Sequence, residues 1–180
     1  MTRFVSAFTA LIVGVLIMTE QALALDPENT LYLDLKDGRV VIELREDLAP
    51  KHVMRIKQLT REGFYDGLTF HRVIPGFMAQ GGDPDGNGTG GSGVNLPAEF
   101  SSQPFERGTV GMARSRDINS GDSQFFIMFA PASHLNGQYT VWGQVVKGME
   151  FVDNIKVIEG GYGGEPDAIV RMQVAADAKD

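Results

Sequence analysis

The sequence predicts a mostly β protein in which short strands close into a barrel and two helices pack against it. Three observations support this fold class. Apolar and polar residues alternate over short segments, glycine-rich and polar turns separate those segments, and two segments repeat their apolar residues near the helical period. Closing the strands into a barrel would remove exposed sheet edges. We find no internal repeat and no linker that would divide the chain into two domains.

The first predicted element is a β-hairpin that turns at Asp37-Gly38. Apolar residues occupy alternate positions on both sides of this turn, which puts them on one side of the hairpin. With Asp37 and Gly38 as a two-residue loop, the predicted cross-strand pairs are Leu35 with Val40, Leu33 with Ile42, and Leu31 with Leu44. One side of this hairpin is therefore expected to be core.

Two later segments carry helix signals. Pro50 suits a first helical turn, apolar residues then recur near the helical period, and Gly63 ends the pattern, so a helix is predicted from Pro50 to Glu62. A second, shorter helix is predicted from Met149 to Ile155. The other segments are predicted to be strands: Thr109 to Met112, Gln124 to Phe129, Tyr139 to Val145, and Ile169 to Val174.

The N-terminal segment has the three-part build of a secretory signal peptide. Arg3 is followed by an apolar run from Phe4 to Met18 and by the small-residue site Ala22-Leu23-Ala24. We expect cleavage after Ala24, which divides the chain into a signal peptide, residues 1–24, and a mature domain, residues 25–180. The apolar run is shorter than the ~20 residues of a membrane-spanning helix. An uncleaved N-terminal anchor is the alternative.

Composition narrows the location and the partners of the mature domain. The chain has no cysteine, so neither disulfides nor a lipid-modified cysteine is expected, and the mature protein should be free of the membrane. A bacterial periplasm is the expected compartment, with secretion or a eukaryotic secretory lumen as the alternatives. The net charge is −7 with 16 Lys and Arg, which makes nucleic acid an unsuitable partner. A monomer is expected.

Two sequence blocks carry the functional signal. Residues 70–83 read Phe-His-Arg-Val-Ile-Pro-Gly-Phe-Met-Ala-Gln-Gly-Gly-Asp, and residues 123–127 read Ser-Gln-Phe-Phe-Ile. They place the cation Arg72 among apolar and amide side chains, without a good nucleophile. Both blocks resemble the signature of cyclophilin-type peptidyl-prolyl cis-trans isomerases, and further matches extend over nearly all of the mature chain. The resemblance implies an eight-stranded antiparallel barrel capped by two helices, proline-containing polypeptides as substrates, and no cofactor.

The residues themselves explain why Arg72 suits this reaction. Rotation about an X-Pro bond is slowed by amide resonance, with a barrier of ~18–20 kcal/mol. When the bond twists, the prolyl nitrogen gains a lone pair, and a permanently charged guanidinium can donate a hydrogen bond to it. By resemblance, Arg72 is the main catalytic residue, and Gln80 steadies Arg72 or binds the substrate backbone. A surface salt bridge is the alternative role of Arg72.

The resemblance also implies a substrate groove. Its apolar proline pocket would be formed by Phe77, Met78, Phe126 and Leu135, and its contacts to the peptide backbone by Ala113, Arg114 and Gln124. Strand alternation predicts that Phe126 faces this groove while Phe125 faces the interior. His134 stands where cyclosporin-sensitive members carry tryptophan, and Tyr139 where many carry histidine, so we expect both to line the site and cyclosporin to bind weakly.

Alternative functions rest on less specific patterns. Asp83, Asp85 and Asn87 match the opening of a calcium-binding EF-hand loop, but Val94 stands where that loop requires glutamate. A calcium-regulated envelope protein is one alternative. The glycines from Gly81 to Gly93 lack the lysine of a phosphate-binding loop, and the three histidines show no metal-ligand spacing, so no metal site is predicted. A non-catalytic proline-peptide binding module or chaperone is the other alternative.

Overall fold

A single eight-stranded sheet forms the body of the protein in the computed structural model, which describes residues 25–160 and 162–179. Every pair of neighbouring strands is antiparallel. The strands are β1 (Thr30–Leu35), β2 (Gly38–Leu44), β3 (Arg72–Ile74), β4 (Met78–Gly81), β5 (Thr109–Met112), β6 (Phe125–Met128), β7 (Val141–Lys147) and β8 (Arg171–Val174). Their order across the sheet is β3-β4-β6-β5-β7-β2-β1-β8. The mostly β, antiparallel fold class is confirmed, whereas the predicted signal peptide and its cleavage after Ala24 lie outside the described residues.

The sheet curls into a half-barrel, so the predicted closure was overstated. Within the described ranges no strand ladder joins the two edge strands, β3 and β8. Isolated bridges pair Thr69 with Ala168 and Val73 with Ile158 instead. These bridges connect β3 and the residues before it to the irregular segment before β8. We call the resulting contact, between residues 67–73 and the described residues of 158–170, the seam. It covers the edge of β3 with loop backbone rather than with a further strand.

The first hairpin forms as predicted, but its register was predicted wrongly by two residues. Its turn residues are Lys36 and Asp37, and Gly38 already pairs with Leu35. A Cβ atom at Gly38 would lie 2.6 Å from the ring of Phe151, so glycine here allows a close approach of the second helix. Because a two-residue shift preserves side-chain direction, the apolar residues remain on one face, and all of them are buried.

Both predicted helices are present. Helix α1 spans Pro50–Arg61, and Gly63 with φ +71° follows its end, as predicted. Helix α2 spans Met149–Asp153, two residues shorter than predicted, and ends with a turn in which Ile155 N donates to Val152 O at 3.1 Å. None of the helices in the part of the chain that the structure describes is long and apolar enough to cross a membrane.

The N-terminus of α1 is held by a residue from a distant loop. Its N-cap residue, Ala49, offers no side-chain hydrogen bond. Instead, the carboxylate of Glu99 accepts hydrogen bonds from the backbone N–H groups of Lys51 at 3.1 Å and His52 at 3.0 Å. The same carboxylate lies 2.6 Å from Nδ1 of the buried His52 ring. This contact satisfies donors that the helix cannot satisfy itself.

Strand alternation divides the apolar side chains into two clusters. The main core packs around Trp142 and Phe125 and includes the apolar face of α1. A second cluster contains the side chains that β4 and β6 direct away from this core: Met78, Phe126 and Met128, together with Phe105 and Leu135. The second cluster therefore lies on the opposite face of the β4–β6 part of the sheet, and the candidate site is built on it.

Candidate active site

A row of cross-strand neighbours sets the geometry of the site. Arg72 on β3 pairs with Gln80 on β4, Gln80 pairs with Phe126 on β6, and Phe126 pairs with Gly111 on β5. Directly opposed residues in an antiparallel sheet direct their side chains to the same face. The sheet register therefore places a cation, an amide, an aromatic ring and a glycine side by side.

Arg72 has no carboxylate partner among the residues that the structure describes. None of the ion pairs among the described residues includes it. Its Nη1 atom donates to Gln80 Oε1 at 3.2 Å and lies 4.0 Å from the sulfur of Met78. The guanidinium is thus steadied by neutral groups and keeps further N–H donors for a ligand.

A chain of amides runs from Arg72 into the glycine-rich loop. Gln80 Nε2 donates to Gln124 Oε1 at 2.9 Å, and Gln124 Nε2 donates to the carbonyl oxygen of Gly90 at 2.8 Å. Arginine can only donate and a backbone carbonyl can only accept, so both ends require the same orientation of the two amides. We call this hydrogen-bonded chain the amide relay. It directs the Gln80 oxygen towards Arg72.

The Gly90 end of the relay belongs to a loop organised by Asp83. The buried Asp83 carboxylate accepts backbone N–H hydrogen bonds from Asp85, Asn87 and Gly88. Burial alone would raise the pKa of Asp83, but these hydrogen bonds outweigh burial and hold the pKa below its usual value. Within the described residues, no group of three or more His, Asp or Glu side chains is arranged to hold a metal ion. Asp83, the first residue of the partial EF-hand match, therefore has a structural role: its carboxylate holds the loop together.

Beside Arg72 lies a cavity of about 310 Å³. Its lining residues come from β3, β4, the turn between them, β6 and the loops after β5 and β6: Arg72, Phe77, Met78, Gln80, Ala113, Arg114, Phe126, His134, Leu135 and Tyr139. We call this cavity the groove. It combines apolar side chains with polar and charged ones in about equal number, and its size is at the lower end of the usual range for a ligand site.

Aromatic contacts hold the groove walls in place. The rings of Phe77 and His134 stack with centroids 5.8 Å apart. The ring of Tyr139 meets Phe126 edge-on at 5.8 Å, and the Arg114 guanidinium lies 4.5 Å from the Tyr139 centroid. These contacts fix this part of the groove lining before any ligand arrives.

The structure brings all the predicted site residues to the groove except Gln124. Gln124 lines an adjoining cavity of about 250 Å³ and reaches the groove through its hydrogen bond to Gln80. Phe126 faces the groove while Phe125 is in the main core, as strand alternation predicts. The sequence pattern therefore identified residues that are distant in the chain but adjacent in the fold.

Sequence reasoning missed two residues that support the groove. Phe105 is buried and stacks on Phe126 with centroids 5.6 Å apart. A Cβ atom at Gly111 would lie 2.5 Å from the Phe126 ring and 2.7 Å from the Phe105 ring. Glycine inside a strand can mark such a close approach and was the available signal for Gly111. Phe105 lies in a loop without periodicity and gave no comparable signal.

The groove can bind an apolar ring and place the Arg72 guanidinium beside the bond that joins this ring to the rest of the ligand. It holds one amide, two guanidinium groups, the His134 ring, the Tyr139 hydroxyl and apolar side chains, and none of its lining residues is a cysteine, serine or threonine. Such a site suits a reaction that forms no covalent intermediate and needs one hydrogen bond to strengthen as the bound group changes shape. Rotation about the peptide bond before a proline is a reaction of this kind.

Comparisons with known proteins agree with this interpretation. The family model described as cyclophilin type peptidyl-prolyl cis-trans isomerase/CLD matches residues 30–175. A protein of Brucella suis named probable peptidyl-prolyl cis-trans isomerase is 56% identical over 189 residues, covering 97% of this chain and 95% of its own length. Peptidyl-prolyl cis-trans isomerase B of Bacillus subtilis is 48% identical over 130 residues, covering 71% of this chain and 90% of its own length.

Solved structures support the same family. Cyclophilin AquaCyp293 from Hirschia baltica matches with a TM-score of 0.78 and 28% identity, over 86% of this chain and 77% of that one. A Cryptosporidium parvum cyclophilin type isomerase, determined in the presence of the dipeptide Ala-Pro, matches with a TM-score of 0.74 and 28% identity, over 81% of this chain and 98% of that one. The fold and site define a class of half-barrel enzymes acting on proline peptide bonds. Within that class, the chain belongs to the cyclophilin-type peptidyl-prolyl cis-trans isomerase family.

Proposed function

We propose that this isomerase is exported to the periplasm and rotates X-Pro bonds in unfolded or partly folded polypeptides of the cell envelope, thereby assisting their folding. Uncatalysed rotation takes tens to hundreds of seconds, slow enough to limit folding. The observation that carries the proposal is the placement of Arg72. Among the described residues it pairs with no carboxylate, it is steadied by Gln80, and it lines a cavity beside the apolar side chains of Phe77, Met78, Phe126 and Leu135.

The groove can lower the barrier by binding the twisted bond better than the planar one. A proline ring held against Phe126, Met78 and Leu135 cannot turn freely, so the carbonyl group before it rotates instead. As resonance is lost, the prolyl nitrogen becomes a better acceptor for an Arg72 N–H group. Each tenfold acceleration requires ~1.4 kcal/mol of preference for the twisted state.

A proline-containing peptide is supported as the ligand by the site and by a relative. The Cryptosporidium parvum structure with Ala-Pro present links this fold to a proline dipeptide. We propose that the protein acts as a monomer. His134, stacked on Phe77, leaves the groove without the tryptophan of cyclosporin-sensitive members, so we also propose that cyclosporin binds weakly.

Catalysis is tested by exchange NMR on a short Xaa-Pro peptide, comparing residues 25–180 with Arg72→Ala and Arg72→Lys. We expect Arg72→Ala to lower kcat/KM by about 100-fold or more, because one preorganised donor is typically worth that factor. Lysine should restore only part of it, since its ammonium lacks the planar fork of donors. Arg116→Ala is the matched control, because Arg116 is exposed and outside the groove.

The alternative outcome has a clear meaning. If the folded wild-type domain binds proline peptides without accelerating their exchange, the isomerase proposal fails. A non-catalytic binding module or chaperone would then be the better description. A planar proline peptide can be held without a donor directed at its nitrogen, so Arg72→Ala should in that case leave peptide affinity nearly unchanged.

The export proposal rests on the N-terminal sequence and needs its own test. Residues 1–24 fused to a reporter that is active only outside the cytoplasm should give activity, and N-terminal sequencing of the exported chain should begin at Leu25. Deleting residues 4–18 should abolish reporter activity. Reporter activity in the soluble periplasmic fraction would support the periplasm as the compartment. Retention of the whole chain in the membrane fraction would instead support an uncleaved anchor.

A further inference from the structure

The groove carries the opposite charge from the rest of the molecule. The chain has a net charge of −7, yet the residues lining the groove include two arginines and a histidine and no aspartate or glutamate. We infer that the enzyme prefers X-Pro substrates with an acidic side chain adjacent to the proline, and that Arg114 is the residue that sets this preference. This inference rests on the proposed isomerase function.

Arg114 is held in place by neutral groups. Its Nε and Nη2 atoms donate to the carbonyl oxygen of Gln138 at 3.2 and 2.9 Å, and Nη1 donates to the carbonyl oxygen of Ser115 at 2.9 Å. Its guanidinium also lies over the Tyr139 ring. None of the ion pairs in the described part of the chain includes Arg114. Its charge is therefore fixed in position and, among the described residues, forms no ion pair.

The carboxylates nearby in the chain are engaged elsewhere. Asp122 accepts hydrogen bonds from the Ser92 hydroxyl and from Gly93 N, the latter at 2.8 Å. Asp117 accepts one from Asn119 N at 2.9 Å. These hydrogen bonds tie Asp122 to the glycine-rich loop and Asp117 to its own loop. Asp122 shares the adjoining cavity with Arg114 but does not line the groove. A substrate carboxylate in the groove can therefore supply an opposite charge that none of the groove-lining residues carries.

The position of Arg114 allows its charge to act on the residues adjacent to the bound proline. Arg114 and Arg72 line the same cavity of about 310 Å³, and an extended peptide advances only ~3.3 Å per residue. A residue beside the bound proline is thus within reach of Arg114. A partly exposed ion pair typically changes affinity by a few-fold. A substrate glutamate is attracted to Arg114, whereas a substrate lysine is repelled by it. Exchanging one for the other next to the proline should therefore change kcat/KM by about fivefold.

The experiment compares peptides that differ in one charge. Exchange NMR reads cis-trans interconversion directly and avoids a coupling protease with its own charge preference. One set of tetrapeptides carries Glu, Gln or Lys immediately before the proline, and a second set carries them immediately after it. The proteins are wild type, Arg114→Gln, Arg114→Lys and Arg116→Gln. Arg116→Gln removes the same charge from the same loop but lies outside the groove.

We expect the wild type to favour Glu over Lys by about fivefold in at least one set, and salt of about 0.5 M to reduce that ratio by screening. Arg114→Gln should bring the ratio close to one, whereas Arg114→Lys and Arg116→Gln should keep it. A wild-type ratio near one in both sets would overturn the inference while leaving the isomerase intact. An equal loss in Arg116→Gln would reassign the preference to the general field of the loop. Absence of turnover on every peptide would instead refute the proposed function.

Discussion

At the scale of single residues, the amide relay links the catalytic candidate to the glycine-rich loop. The Arg72 side chain can only donate hydrogen bonds, and the Gly90 carbonyl oxygen can only accept them. The amides of Gln80 and Gln124 adopt the one orientation that satisfies both ends. The sequence blocks identified Arg72, Gln80 and Gln124. The relay itself was not predictable, because it depends on a backbone carbonyl that no residue type encodes.

The relay predicts an unusual order of activity for variants of Gln124. Gln124→Leu removes both the acceptor for Gln80 and the donor to the Gly90 carbonyl, and it should lower kcat by about threefold to tenfold with a smaller effect on KM, because Gln80 is no longer oriented. Gln124→Glu loses the donor to Gly90 but still accepts from Gln80, so it should retain more activity than the leucine variant and less than the wild type. Steady-state kinetics by exchange NMR would measure both variants. If glutamate is the more damaging substitution, Gln124 acts through packing or charge and not through orientation.

Gly111 predicts a second residue-scale effect. Gly111→Ala would place a methyl group against the rings of Phe126 and Phe105, so these rings must shift, and we expect Phe126 to shift into the groove. We expect weaker peptide binding, measured as an increase in KM of about tenfold, and destabilisation of about 1–3 kcal/mol from overpacking. Phe105→Leu in the same background should relieve part of both effects. An unchanged KM would show that the ring can move elsewhere.

At the scale of elements, the sequence predicted which face of the first hairpin is apolar but not its turn or the cap of α1. Alternation placed the apolar face of the first hairpin correctly, since that face depends only on the period of two. The turn was misplaced because Asp-Gly is a common hairpin signal, whereas Gly38 is required by contact with Phe151. The cap of α1 was also beyond sequence reasoning, because Glu99 lies 48 residues from Lys51.

This cap predicts how stability depends on pH. Burial lowers the pKa of His52 below its ordinary value of 6.5, more than the neighbouring Glu99 raises it, so the folded state favours the neutral ring. Hydrogen bonds from His52 and Lys51 outweigh burial and lower the pKa of Glu99. Each group therefore stabilises the fold fully at pH values above its pKa in the unfolded chain. That contribution is lost as the pH falls through the lower pKa that the group has in the folded protein. Acidification below about 6.5 should lower the free energy of unfolding, first through His52 and then through Glu99.

Denaturant unfolding at a series of pH values would measure this effect. In His52→Asn, which can still donate to Glu99, the loss of stability just below the ordinary histidine pKa should be smaller than in the wild type. Glu99→Gln should cost about 1–3 kcal/mol at neutral pH, because helix donors then lose a charged acceptor. Identical pH profiles for wild type and His52→Asn would exclude His52 as the source.

At the scale of the whole molecule, the seam distinguishes this half-barrel from the closed barrel that the sequence predicted. The continuous ladders run from β3 to β8 through the sheet, whereas single bridges join residues 67–73 to residues 158–170. Closure depends on contacts between segments about ninety residues apart, as in the hydrogen bond from Phe70 N to Asp167 O at 2.9 Å. Local periodicity carries no information about such pairing.

The seam should be the first part of the sheet to open. Isolated bridges lack the cooperative support of neighbouring ladder bonds, so local opening costs less there than in the centre of the sheet. Hydrogen exchange followed by mass spectrometry should show amides of the seam exchanging at least about tenfold faster than those of β1 and β2. Equal protection of both regions would mean that the seam opens only with the whole fold.

The two ends of the domain are close together. The turn at Pro27–Asn29 packs against the turn at Ala175–Asp177, and Arg61 of α1 bridges Glu28 and Asp177 with contacts of 3.0 and 2.8 Å. Proteins with neighbouring ends tolerate circular permutation and insertion into another chain. A short linker from Asp177 to Pro27 should therefore allow new ends at an exposed position such as Ile118 without disturbing the sheet. The same geometry would let the domain be inserted as a unit into a surface loop of another protein, with entry and exit side by side.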